Sequence, residues 1–146
     1  MLFSEYILDR ISPAKRSANM ARIRSQNTRP EMTVRRLIHS LGYRYRLHVA
    51  QLPGRPDIVF SRKKAVIFIN GCFWHQHGHP DCTKSSIPKT RHEFWNAKLQ
   101  RNSERDAANY RKLDALGWTT LVIWECELNE EDSLVLKLTT FLRETK

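Results

Sequence analysis

Three apolar runs set the architecture this chain can adopt. DIVF (57–60) and AVIFI (65–69) flank the polar break SRKK, and TTLVIWE follows at 119–125. Each run is short, rich in β-branched and aromatic residues, and apolar at consecutive positions. Such runs are buried strands, shielded on both faces. The first two are joined by a turn, and a long helical segment separates them from the third. The expectation is an α/β fold in which a mixed β-sheet is flanked by α-helices.

The helices follow from their own periodicity. Asn27 or Thr28 can cap a helix in which Pro30 suits the first turn and Glu31 faces the positive end. Val34, Leu37, Ile38 and Leu41 then form one apolar face, and Gly42 stops it. A second long helix is expected from about His92 to Leu116, ending at Gly117, and a third from Asp132 to Arg143. Tyr43, Tyr45 and Leu47 alternate with Arg44, Arg46 and His48, the pattern of a half-buried strand with a basic face. Residues 14–26 suit a short basic helix carrying Lys15, Arg16, Arg22 and Arg24, and residues 1–13 a flexible arm. The expected order is α-α-β-β-β-α-β-α, one domain over 14–146.

Lys and Arg total 25 against 15 acidic residues, a net charge of +10. That excess points to a polyanionic partner, bound through counterion release from phosphates, although a basic and merely solvated surface has the same composition. Three cysteines suit no disulfide framework, and neither a secretory signal nor a membrane-spanning run is present. A reducing, intracellular compartment is the expectation, where Cys near His points to metal or catalysis.

The segment NGCFWHQHGHPDC places Cys72, His75, His77, His79 and Cys82 within eleven residues. Cys72, His77 and Cys82 are spaced C-x4-H-x4-C. Cys126 follows the end of the third strand run, as Cys72 follows the second. Were those strands neighbours, the four side chains would meet at one sheet end as a tetrahedral set suited to structural zinc. His79 could stand in for His77. The alternative is three buried free cysteines with histidines in a plain surface loop. A long loop over 70–90 is expected, of the kind that carries function or disorder.

PGRPD (53–57) brings Asp57 to the start of a buried strand, where one carboxylate can hold Mg²⁺ against a phosphate. The acid and lysine that many nucleases carry one strand later are missing here. His75, not needed by the metal set, could take a proton from water, with Asp106 or Glu31 as an orienting carboxylate. Taken singly, Glu31 and Asp106 also read as a helix-start carboxylate and a solvated charge.

NTRPE (27–31), GYRYRLH (42–48), LPGRPDIVF (52–60), GCFWH (71–75), HEFW (92–95), NSERD (102–106), LGW (116–118) and VIWEC (122–126) resemble, in order and spacing, the very-short-patch mismatch-repair endonucleases. The resemblance covers nearly all of residues 14–126. It implies a restriction-endonuclease-like fold and a Mg²⁺-dependent enzyme that nicks double-stranded DNA beside the T of a T·G mismatch. By position, it implies that Asp57 binds Mg²⁺ with the backbone carbonyl of Ile69. His75 is then the general base, Asp106 its partner, and Glu31 an organiser of water on the metal. Cys72, His77, Cys82 and Cys126 match the structural zinc ligands. Phe73, Trp74 and Trp95 match rings that wedge into the base stack, and an arm holding Met20, Arg22 and Arg24 matches the part that embraces DNA. For the rings, and for Trp95 above all, core packing is the other reading. At one catalytic position the chain departs: Asn70 stands where the family commonly has histidine, and asparagine donates a hydrogen bond without carrying charge. The resemblance also implies a monomer in the bacterial cytoplasm, associated with the nucleoid, with mismatch-repair proteins as candidate partners. Two rivals remain: a nuclease of the same fold without T·G preference, and a zinc-stabilised DNA-binding protein that does not cut.

Overall fold

The structure, a computed structural model, describes residues 26–77 and 82–145. The first helix begins after Thr28, whose Oγ1 accepts the Glu31 N–H at 3.3 Å, with Pro30 in the first turn. This helix is α1 (Arg29–Ser40). The elements after it are β1 (Arg46–Leu47), β2 (Ile58–Phe60), β3 (Ala65–Asn70), a single-turn helix α2 (Cys72–His75), α3 (His92–Ala115), β4 (Thr119–Trp124) and α4 (Glu131–Glu144). Short 3-10 turns at Thr83–Ser85 and Glu125–Asn129 complete the order. Gly42 and Gly117 sit at positive φ just past α1 and α3. The 14–26 helix and the arm before it lie outside the described residues, apart from Gln26.

The four strands form one sheet in the order β1-β2-β3-β4. β1, β2 and β3 pair antiparallel in sequence, and β4 joins β3 in parallel, Ala65 opposite Thr119 through Asn70 opposite Trp124. A parallel neighbour needs a long crossover, and α3 supplies it. The sheet is therefore mixed, and both faces are covered as the apolar runs require. Ile58, Phe60, Ala65, Ile67 and Ile123 pack against Val34 and Ile38 of α1 and Leu134, Leu138 and Leu142 of α4. Val59, Val66 and Phe68 turn to the opposite face, where Leu113 of α3 closes over them. Each of the Val, Leu, Ile and Phe side chains stabilises the fold by about 1.5–3 kcal/mol when fully buried. Among the described residues no helix is long and apolar enough to cross a membrane.

Three expectations change. The third apolar run, expected to be buried on both faces, forms β4 at the end of the strand order, paired only with β3, and only Ile123 of it is buried. The strand foreseen at 43–48 contracts to Arg46–Leu47, and Leu47 is exposed. Tyr43 and Tyr45 do turn inward, but as rings set edge-on to Phe60 at 6.5 and 6.3 Å rather than as ladder residues. The Tyr43 N–H still bonds back to the Ile38 carbonyl of α1, and the Tyr45 hydroxyl donates to the Arg35 carbonyl. This segment belongs to the helix end as much as to the sheet. The loop foreseen at 70–90 contains α2, which puts its aromatic and imidazole side chains on helical backbone.

Candidate active site and metal centre

Asp57 lies immediately before β2, and its carboxylate is tied to the next strand: Oδ2 accepts the Ile69 N–H at 2.8 Å. Gly54 sets the approach. It holds φ 76°, and a Cβ there would meet Asn109 Cβ and the Phe68 ring at 3.1 Å. Only glycine lets the PGRPD turn press against α3, which carries Asp106. Burial pushes the Asp57 pKa up to about 6; the Ile69 N–H pulls it down, the Glu31 charge raises it, and His48 and His75 lower it. A carboxylate held this way gains from a cation at its free oxygen.

Above Asp57 stands a network with a member that the sequence reading passed over. His48 Nε2 bonds Glu31 Oε1 at 2.5 Å and faces Asp57 Oδ1 at 4.0 Å, while its backbone N–H donates to the Asp57 carbonyl. Glu31 is buried. It also receives the Arg35 guanidinium on Oε1 and the Asn27 N–H on Oε2. Glu31, His48 and Asp57 thus bring three potential ligand atoms within 4.8 Å of one another. His48 has φ 46°, an unusual backbone for a residue with a side chain. Its place in the alternation of Arg44-Tyr45-Arg46-Leu47-His48 carried no hint of this, because its partners lie 17 and 9 positions away.

His75 and Asp106 meet as the resemblance implies. The imidazole Nδ1–H donates to Asp106 Oδ2 at 2.5 Å, leaving Nε2 toward a cleft of about 460 Å³. His48, Arg55, Asp57, Asn70, His75 and Asp106 all line that cleft. The single turn α2 has too few internal bonds to stand alone, and α3 holds it. Asn102 donates to the Trp74 carbonyl at 3.1 Å and the Ser103 hydroxyl to the His75 carbonyl at 3.1 Å. Neither residue carried a site signal in sequence.

The second centre gathers Cys72, His77, Cys82 and Cys126, whose donor atoms all lie within 4.8 Å of one another. β3 and β4 are neighbours, so Cys72 and Cys126 meet just past their paired ends. The Cys126 N–H points at the Cys72 sulfur at 3.4 Å, and Cys126 Sγ is 3.7 Å from His77 Nε2. The protonation states conflict without a cation. Burial, above all, pushes the Cys72 thiol up to about 12 and raises Cys126. At Cys82 burial also raises the thiol, but bonds from His77 and Cys72 outweigh it and hold the thiol down at about 7. A metal ion would let all three ionise together, so the donor set fits one. His77 joins the cluster; His79 lies outside the described residues, as do Met20, Arg22 and Arg24.

Phe73, Trp74 and Trp95 form one aromatic group, with centroids 4.9 Å (Phe73–Trp74), 5.4 Å (Phe73–Trp95) and 6.0 Å (Trp74–Trp95) apart. All three are half-buried, and the exposed Phe94 joins them at 5.2 Å from Trp95. Lys98 lies 5.5–5.9 Å over three of the rings. They are not part of either core: they form a solvent-facing ridge next to His75.

Comparison with known proteins shows the family. The family model described as DNA mismatch endonuclease Vsr matches residues 8–84. The type II nicking enzyme V.XorIIP of Xanthomonas oryzae is 46% identical over 134 residues, covering 92% of this chain and 96% of the relative. The type II nicking enzyme V.NmeAIP of Neisseria meningitidis is 41% identical over 94% of this chain and 96% of its own length. The DNA mismatch endonuclease Vsr of Escherichia coli is 41% identical over 83% of this chain and 76% of its own.

Proposed function

Because this chain belongs to the DNA mismatch endonuclease Vsr family, we propose that it nicks one strand of duplex DNA beside the T of a T·G mismatch, with Mg²⁺ at Asp57. The observation that carries this reading is the His75–Asp106 pair at 2.5 Å, opening on the same cleft as the half-buried Asp57 carboxylate. Asp106 fixes the tautomer in which His75 Nε2 has a free lone pair. Nε2 takes the proton from a water as its oxygen attacks phosphorus, the ester bond to the sugar oxygen breaks, and that oxygen leaves as a hydroxyl with a proton from solvent. Asp57 Oδ1 and the Ile69 carbonyl would hold Mg²⁺, which neutralises phosphate charge when bound. Glu31 orders water in the same space, with Arg35 and His48 fixing its own position. The fold we take as restriction-endonuclease-like, over residues 14–146 and preceded by an arm at 1–13. The four-residue Cys/His set is assigned to structural Zn²⁺, which would tie α2 to the sheet.

The rings of Phe73, Trp74 and Trp95 suit insertion beside a mispair. Apolar rings replace lost stacking, and a mispaired step opens at lower cost than a paired one. We assign the protein to the cytoplasm as a monomer, with mismatch-repair proteins as further partners.

The test is nicking, with Mg²⁺, of two labelled duplexes that differ only in T·G against T·A. Selective cleavage of the T·G strand is expected, and Asp57→Ala should abolish it while duplex binding persists. Equal cutting of both duplexes would reduce the reading to a general nicking enzyme. Binding with no cutting would leave a DNA-binding protein.

A further inference from the structure

β3 ends on Asn70, a buried amide one residue beyond Ile69. Alternation along the strand turns Asn70 to the α3 side of the sheet, with Val66 and Phe68. There its Nδ2 donates to the Tyr110 hydroxyl at 3.0 Å. Tyr110 is four residues after Asp106 on α3, so both side chains lie on one helix face. Its ring is set edge-on to Phe68 at 5.1 Å. The phenol is therefore fixed from two sides, one apolar and one polar. It accepts the Asn70 hydrogen, and no described residue accepts its own. Asn70, its hydrogen-bond partner, and Asp106 and Asn109, its neighbours on α3, all line the cleft that holds Asp57 and His75.

We propose that the Tyr110 hydroxyl, positioned by Asn70, donates its hydrogen to a non-bridging oxygen of the phosphodiester in this cleft, as a further catalytic group. The inference rests on the nuclease reading above. A half-buried O–H held beside a site where negative charge develops lowers the barrier without having to reorganise. Burial, with the Asp106 and Asp57 charges, outweighs the Asn70 bond and raises the Tyr110 pKa, so the donor keeps its proton at neutral pH. Asn70 and Tyr110 are neutral together, which suits a pocket already holding Arg55 and Arg105.

Single-turnover nicking of the T·G duplex by the wild type, Tyr110→Phe, Asn70→Ala and the double variant tests this. Phenylalanine keeps the contact with Phe68, so melting temperature and metal-free DNA affinity should not change. The cleavage rate of Tyr110→Phe should fall on the order of 10²-fold. Asn70→Ala should fall through the same hydroxyl, so the double variant should be no slower than the slower single variant. Tyr110→Phe at the wild-type rate, or strictly multiplicative losses, would overturn the inference. A wild type that cuts no duplex would instead defeat the nuclease reading. A second readout does not depend on cleavage. Fluorotyrosine at position 110, followed by fluorine NMR, should shift when the T·G duplex binds with Ca²⁺. It should not shift with a duplex carrying a methylphosphonate at the nick position. A resonance indifferent to that replacement would exclude the contact.

Discussion

Asp57 shows how this site sets function against stability. Its pKa of about 6 lies above the ordinary 3.8, because burial disfavours the charged form. The folded chain therefore holds the proton more tightly than the unfolded chain does. The stabilisation this gives is complete below the unfolded value and is lost as pH rises through about 6. A shift of two units corresponds to roughly 3 kcal/mol as an upper figure. Asp57→Asn removes the charge while its Oδ1 can still accept from Ile69 N–H. In metal-free protein it should raise the melting temperature at pH 8, with the gain shrinking toward pH 4, and it should abolish nicking. Equal melting curves at pH 8 would mean that water already solvates the carboxylate. The same pKa places proton and Mg²⁺ in competition below pH 6.

At the scale of elements, legibility followed range. α1, α3 and α4 were legible because the 3.6-residue period and the Thr28 cap are local. β2 and β3 were legible because apolar runs state their burial directly; β4 was legible as a strand but over-read as buried, since only Ile123 of it is. β1 was over-read: alternation predicts which side chains turn inward, but Tyr43 and Tyr45 do so as packed rings, with only two residues paired in the ladder. Asp57, His75, Asp106 and the Cys/His set were singled out by residue type and resemblance. His48, Arg35, Asn102, Ser103 and Tyr110 were not, because each acts through a contact with a distant segment that sequence spacing does not encode. The element most dependent on such contacts is α2. It spans one turn, gripped by α3 on one side and bounded by Cys72 and His77 on the other. Cys82→Ser should therefore lower metal content below about one zinc per chain and melting temperature by more than about 10 °C. It should also abolish cleavage while Asp57 and Asp106 remain intact. Elemental analysis alongside a melting curve checks this, and a fully folded, active, metal-free variant would refute the assignment.

Across the whole molecule the charge is unevenly placed. Residues 125–132 carry five of the 15 acidic side chains (Glu125, Glu127, Glu130, Glu131 and Asp132) and no basic one. The remaining surface is correspondingly more basic, with Arg55 and Arg105 in the cleft and Arg91 and Lys98 over the aromatic ridge. Affinity and selectivity should then have separate origins. Lys and Arg contacts to phosphates release counterions on any duplex, and each contributes a slope of about −0.9 to log K against log salt. Ring insertion at a mispair releases none. Binding to T·G and T·A duplexes, measured by anisotropy without cleavage, should weaken steeply and in parallel from about 50 to 200 mM salt, by roughly 10³-fold for six phosphate contacts. The ratio of the two affinities should stay constant. Trp74→Ala should reverse that pattern, preserving the slope while reducing the ratio, since a stacked ring accounts for about 1–3 kcal/mol. A ratio that collapsed with salt would place discrimination in the cations rather than in the ridge.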